Sequence, residues 1–371
     1  MDWRESFLRF CGPGLLGGIT YGQWCALWRR QELQFDLSRA PRMLTITSQS
    51  VKNSVLKGVE RTRFQKLIDQ VEIVPPLFIL GHWRNGTTLL HHLLTRDERF
   101  GFPNGYQVSF PHTFLTAEAR DMKWLPLFIP RHRPMDNMRM DLADPQEDEF
   151  ALCAASLMSP CLGWIFPRQR RIFEKYLTFH EADKTELDEW RSAFLHFVRK
   201  VQWRNGARTL VLKSPQHTAR VRLLLDLFPE ARFVHIHRNP YAVFQSTCRT
   251  FRILHRWHSV QRTMPQNVED WVLGQYRDMY DAFFQDKALI PCGRFHEIAF
   301  EDLEREPVVE MRKLYEALRL PDFDTVEPVL RKYVDSLTGY QKNQYTELTA
   351  DLRSRVQEKW KRSFDAWGYT A

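Results

Sequence analysis

Pro76-Leu77-Phe78-Ile79-Leu80-Gly81-His82-Trp83-Arg84-Asn85-Gly86-Thr87-Thr88-Leu89-Leu90-His91-His92-Leu93-Leu94 is the stretch on which the fold turns. It reads as a short buried strand, a tight turn between two glycines, and a helix beginning at Gly86. The first amides of a helix have no acceptor within it, and the helix dipole adds partial positive charge there. Such a turn therefore holds a phosphate-like anion readily.

In the P-loop of nucleoside-triphosphate enzymes, the second glycine is followed by a lysine for the outer phosphates and then by Ser or Thr for magnesium. Here Thr87 follows Gly86, and the cation has moved to Arg84. The turn keeps its charge and loses the ATPase pattern. Two more strand–helix units follow. Residues 209–212 form an apolar run ending in Lys213-Ser214-Pro215, with helical spacing from Thr218. Residues 233–237 form another, ending in Arg238-Asn239-Pro240, with a helix from Tyr241. Residues 294–300 alternate like a strand, and Glu301 opens a helix. Strands alternating with helices predict an α/β fold with a central parallel sheet, of P-loop-type three-layer architecture, whose working loops lie at the strands' C-terminal ends. Residues 1–74 read as a helical N-terminal extension packed on the core, and residues 75–371 as the α/β domain. A mostly helical insertion over about 100–207 covers its substrate side. The segment from Glu347 to Trp367 reads as one amphipathic helix.

The 371 residues, 43% of them hydrophobic, suffice for a large core. A net charge of +8 favours an anionic ligand, but the 45 acidic residues are interleaved with the basic ones and no nucleic-acid module accompanies them. Nucleic acid is therefore not an expected partner. Six scattered cysteines form no C-x-x-C pair, which fits a reducing, cytoplasmic compartment. The apolar segment from Phe7 to Trp28 is interrupted by Arg9, Pro13 and five glycines, which argues against a spanning helix. It reads first as packing against the domain, and second as a peripheral membrane contact.

Two anion motifs in this order resemble the sulfotransferases, which take a sulfonate from 3′-phosphoadenosine 5′-phosphosulfate (PAPS). Their K/R-x-G-T-T loop, which holds the 5′-phosphosulfate, is matched by Arg84-Asn85-Gly86-Thr87-Thr88. Their R-x7-S element, which holds the 3′-phosphate, is matched by Arg238 and Ser246. Phe300-Glu301-Asp302-Leu303 is similar to the family's acidic strand-end motif. The nearest branch resembles the bacterial-type enzymes related to tyrosylprotein sulfotransferases, whose catalytic lysine corresponds to Lys213. Lys342 lies where the family closes a C-terminal loop over the nucleotide.

The resemblance implies in-line attack on sulfur by a hydroxyl or amine. Negative charge grows on the leaving phosphate and the transferring oxygens, so fixed cations lower the barrier; Arg84 and Lys213 are the expected ones. No metal is expected, since a sulfonate carries less charge than a phosphoryl group and no buried strand ends in a magnesium-holding aspartate. His82, His91 and His92 read as packing or surface residues, and Trp83 equally as core or as an adenine wall. For the base that takes the acceptor's proton, Glu147 and Glu149 rank ahead of Glu98, with His112 behind them. Pro145 followed by acids is also ordinary helix-start chemistry. The acceptor could be a small molecule, a lipid or a glycan, and the oligomeric state is open. A P-loop kinase or NTPase, and a non-catalytic protein binding anionic polymers or membrane surfaces, are the alternative readings.

Overall fold

Five strands carry the architecture: β1 (Leu77–Leu80), β2 (Phe100–Gly101), β3 (Thr209–Lys213), β4 (Arg232–His237) and β5 (Phe295–Ala299). All neighbours are parallel, in the order β2-β3-β1-β4-β5. The computed structural model describes residues 3–130, 132, 138–262, 267–337 and 347–370. The Lys342 reading lies outside them.

The chain divides into two compact units. The sheet unit comprises Val74–Phe102, Arg208–Arg249 and Asn267–Ala371. β1 is fully buried in it, as a central parallel strand covered on both faces must be. Leu77 and Ile79 pack with Leu90, Leu93, Val234 and Ile298 in the core. The other unit comprises Met1–Ile73, Pro103–Ala207 and Thr250–Gln266 and is built around helices. In it, Tyr21–Arg29 starts with a capping box of Thr20 and Gln23, and Lys184–Asn205 with one of Asp183 and Glu186. The long helix Ala40–Asp69 lies between them in sequence and opens with Pro41 in its first turn.

Several boundaries differ from the sequence reading. The helix after β3 is preceded by a 3-10 turn, Pro215–Ala219, and runs Val221–Leu227. β2 was not anticipated: two residues carry no periodicity, and they join the sheet only through pairing of Phe100 with Thr209 and Gly101 with Leu210. The C-terminal stretch is two helices, Ala350–Lys359 and Lys361–Trp367. It breaks at Trp360, whose buried indole stacks on Tyr276 with ring centroids 3.6 Å apart. That contact outweighs the continuity of the helical pattern.

Candidate active site

β1 lies between β3 and β4, so its C-terminal end is where the strand order reverses and where open α/β sheets bind ligands. The turn after it is tied down from three directions. The Gly81 N–H donates to Thr218 Oγ1 at 2.7 Å, and Asn85 Nδ2 donates to the Ile236 carbonyl and to the Tyr280 hydroxyl, each at 2.9 Å. The Asn85 backbone N–H is spent on the His82 carbonyl at 3.1 Å. Asn85 therefore ties the turn to β4 and to Tyr280 from within.

Gly86 caps the helix Thr87–Leu94 with φ +94°, a conformation that disfavours a side chain. A Cβ there would also lie 2.2 Å from Phe300 Cδ2. The Phe300 ring also carries Arg238, with its guanidinium carbon 4.3 Å from the ring centroid. Gly86→Ala should consequently displace the turn and weaken nucleotide affinity by at least ~10-fold, measured by calorimetric titration. Unchanged affinity would show that the tight fit against Phe300 is immaterial.

The two cation motifs meet. Arg84, itself at φ +74°, donates from Nε to Ser246 Oγ at 2.8 Å, while Arg238 Nη1 donates to the Arg84 carbonyl at 3.1 Å. Lys213 ends the neighbouring strand, paired in register with Ile79 and almost wholly buried. Its charge is felt nearby: desolvation foremost, and then Lys213, push the His91 imidazole well below its usual range. His91 is thus neutral, and His82, buried and lowered to about 3 by desolvation, is neutral too. Both match the packing role read from sequence. Trp83 is buried.

A model of the "Sulfotransferase family" matches residues 75–325. Over 368 residues the chain is 36% identical to the omega-hydroxy-beta-dihydromenaquinone-9 sulfotransferase Stf3 of Mycobacterium bovis, covering 99% of this chain and 93% of that one. The chain belongs to the sulfotransferase family. Two solved structures share its fold. The sulfotransferase STF9 of Mycobacterium avium gives a TM-score of 0.67 at 19% identity over 94% of both chains. The sulfotransferase STF1 of Mycobacterium tuberculosis H37Rv gives 0.64 at 16% identity over 92% of this chain and 91% of that one.

As a member of a PAPS-using family, this sulfotransferase needs a cradle for a doubly phosphorylated ribose, and the turn fits one. The start of the helix Thr87–Leu94, whose first amides have no acceptor within the helix, and the side chains of Arg84 and Arg238 come together there. Among the described residues, no group of three His, Cys, Asp or Glu is placed to hold a metal.

The acidic candidates of this sulfotransferase are differently housed. Glu147 and Glu149 are in the helical unit, both buried, with Ser159 Oγ donating to Glu149 Oε1 at 2.7 Å. Their helix is Asp148–Ser156. Pro145 does not start it but bridges to Asn104. His112 is also in the helical unit, 3.1 Å through Nε2 from Gln23 Oε1, and is lowered to about 3 by desolvation and then by Lys57 and Lys200. Glu98 is at the wrong edge of the sheet. It sits just before β2, whose Phe100 pairs with Thr209 at the start of β3, about 13 Å of strand from Lys213. Sequence reasoning missed Tyr280 and the shelf role of Phe300. Tyr280 carries no local signal, because its partners His82 and Asn85 are remote in sequence.

Proposed function

We propose that Arg84, Gly86, Thr87 and Thr88 hold the 5′-phosphosulfate of PAPS, that Arg238 and Ser246 hold the 3′-phosphate, and that Asn85 shapes the turn. Lys213 and Arg84 stabilise the charge that grows as sulfur passes to the acceptor oxygen. Lys342 is the closing phosphate contact. Glu149 or Glu147 takes the acceptor's proton, and no metal takes part. The assignment of Lys213 rests on resemblance to the tyrosylprotein sulfotransferase branch. Given the similarity to a sulfotransferase named for a hydroxylated menaquinone, the acceptor proposed is a hydroxyl on an apolar, quinone-type lipid. The enzyme works in the cytoplasm at the edge of a membrane. Among the described residues no helix is long and apolar enough to cross one. Residues 1–74 are proposed as an extension serving the α/β domain of residues 75–371. Family membership sets aside the kinase and the non-catalytic polymer-binding readings.

The observation that carries this reading is the 2.8 Å bond from Arg84 to Ser246, which joins two motifs far apart in sequence. Arg238→Ala should weaken binding of adenosine 3′,5′-bisphosphate by roughly 10- to 30-fold in a calorimetric titration, as expected for one lost charge-assisted contact. Binding of adenosine 5′-phosphate should change far less. Equal losses for both nucleotides would remove Arg238 from the 3′-phosphate. Incubation with labelled PAPS and hydroxyl-terminated quinones tests the acceptor.

A further inference from the structure

The helix Ala40–Asp69 shows one unpartnered apolar side. Leu44, Val51 and Val55, spaced seven and four residues apart, fall on one line at 3.6 residues per turn and are 70%, 47% and 64% exposed. Ser48 and Gly58 on the same line add neither bulk nor charge. Aromatic residues border the line on both flanks. On one flank, the Tyr21 N–H donates to Ser54 Oγ at 2.8 Å, and the exposed Tyr21 ring stands beside the helix. On the other, Lys52 Nζ lies 6.0 Å from the Trp124 ring centroid, and Trp124 meets Phe128 edge-on at 6.1 Å, both rings exposed.

Charge is distributed to match. Residues 40–59 contain Arg42, Lys52 and Lys57 and no Asp or Glu. The first acid, Glu60, is buried. Lys52, Arg63 and Lys66 lie along the flank that carries Trp124, the latter two exposed. Residues 1–73 together hold 11 Lys and Arg against 7 Asp and Glu. Lys52 also pairs with the buried Asp121 at 3.5 Å, and the exposed Asp69 closes the helix. Apolar side chains on an exposed helix line, bordered by Tyr and Trp and by Lys52, Arg63 and Lys66, match the interfacial zone of an anionic bilayer.

We infer that this side of the helix Ala40–Asp69 docks the enzyme onto the surface of an anionic lipid bilayer. Leu44, Val51 and Val55 enter the headgroup–acyl boundary, Tyr21 and Trp124 sit at headgroup level, and the exposed Arg63 and Lys66 meet lipid phosphate. The inference deepens the lipid-acceptor reading and rests on it for its purpose, while binding itself requires no turnover.

Flotation of the full chain with vesicles, in the absence of nucleotide, tests it. Phosphatidylcholine vesicles with about 30% phosphatidylglycerol should carry the protein upward. Pure phosphatidylcholine should carry less, and salt near ~0.5 M should weaken the anionic case. Val51→Asp with Val55→Asp should lower the bound fraction by roughly 10-fold or more. Val51→Ser with Val55→Ser should lower it by a smaller factor, and both pairs should keep wild-type affinity for adenosine 3′,5′-bisphosphate. Wild-type protein that stays unbound, or Asp variants that float as well as wild type, overturns the inference. So does a wild-type dimer in sedimentation that the Asp pair dissolves, since the side would then cover a second copy of the chain. Flotation that persists in a protein unable to bind the nucleotide supports docking and counts against the donor-site reading alone.

Discussion

Lys213→Ala should lower kcat for sulfonate transfer by about two orders of magnitude, ~3 kcal/mol of barrier, with little change in affinity for adenosine 3′,5′-bisphosphate. Lys213 closes β3 beside Ile79 and is shut away from bulk water. In such a place an ammonium is worth more than at the surface, because less solvent competes with it. The neutral His91 nearby does not share its task. Charge builds on the leaving phosphate only as the bond to sulfur lengthens, so a group acting there changes kcat more than ground-state binding. Lys213→Met, which keeps the volume, should behave like the alanine variant. Single-turnover rates with labelled PAPS check this, and a methionine variant at full rate would remove Lys213 from the mechanism.

Lys200→Ala should destabilise the helical unit by roughly 3–5 kcal/mol. Lys200 on the helix Lys184–Asn205 pairs with Glu60 on the helix Ala40–Asp69, both buried, and also donates to the Pro111 carbonyl. Its ammonium lies 4.3 Å from the Phe114 ring centroid, and Glu60 accepts the Thr116 N–H at 3.0 Å. Burial pushes the Glu60 carboxyl up and the Lys200 ammonium down, each opposed by the other's charge. Removing the lysine alone leaves the buried carboxylate without the cation that pairs with it. Lys200→Met combined with Glu60→Gln should recover much of the loss, since the glutamine still accepts from Thr116 and carries no charge. Urea denaturation of the three proteins reads the difference. A single variant with the wild-type midpoint would mean the pair is energetically idle.

The sheet unit was legible where its signals are local. Strand, glycine turn and helix follow one another within residues 77–94, and the helix starts one residue after the expected Gly86. The strands ending in Lys213 and His237 declared themselves by apolar runs next to Pro-containing turns. What stayed hidden depends on partners remote in sequence. The motif shows Asn85 but not that its Nδ2 donates to Ile236 and Tyr280, 151 and 195 residues on. Glu98 follows the turn's helix closely in sequence, but that helix runs back across the sheet and carries it away from the turn. The exposed apolar side of the helix Ala40–Asp69 leaves no run in the sequence, because its three residues are spread over about three turns.

Arg84 and Ser246 are bonded to each other, and Arg238 to the backbone of Arg84. Binding is then an exchange: an incoming oxygen must better what the protein's own groups already give. A small anion brings one cluster of charge to these groups, whereas a ribose bearing two phosphates brings two, one for each motif. Preference for the nucleotide over simple anions thus follows from one molecule answering both motifs.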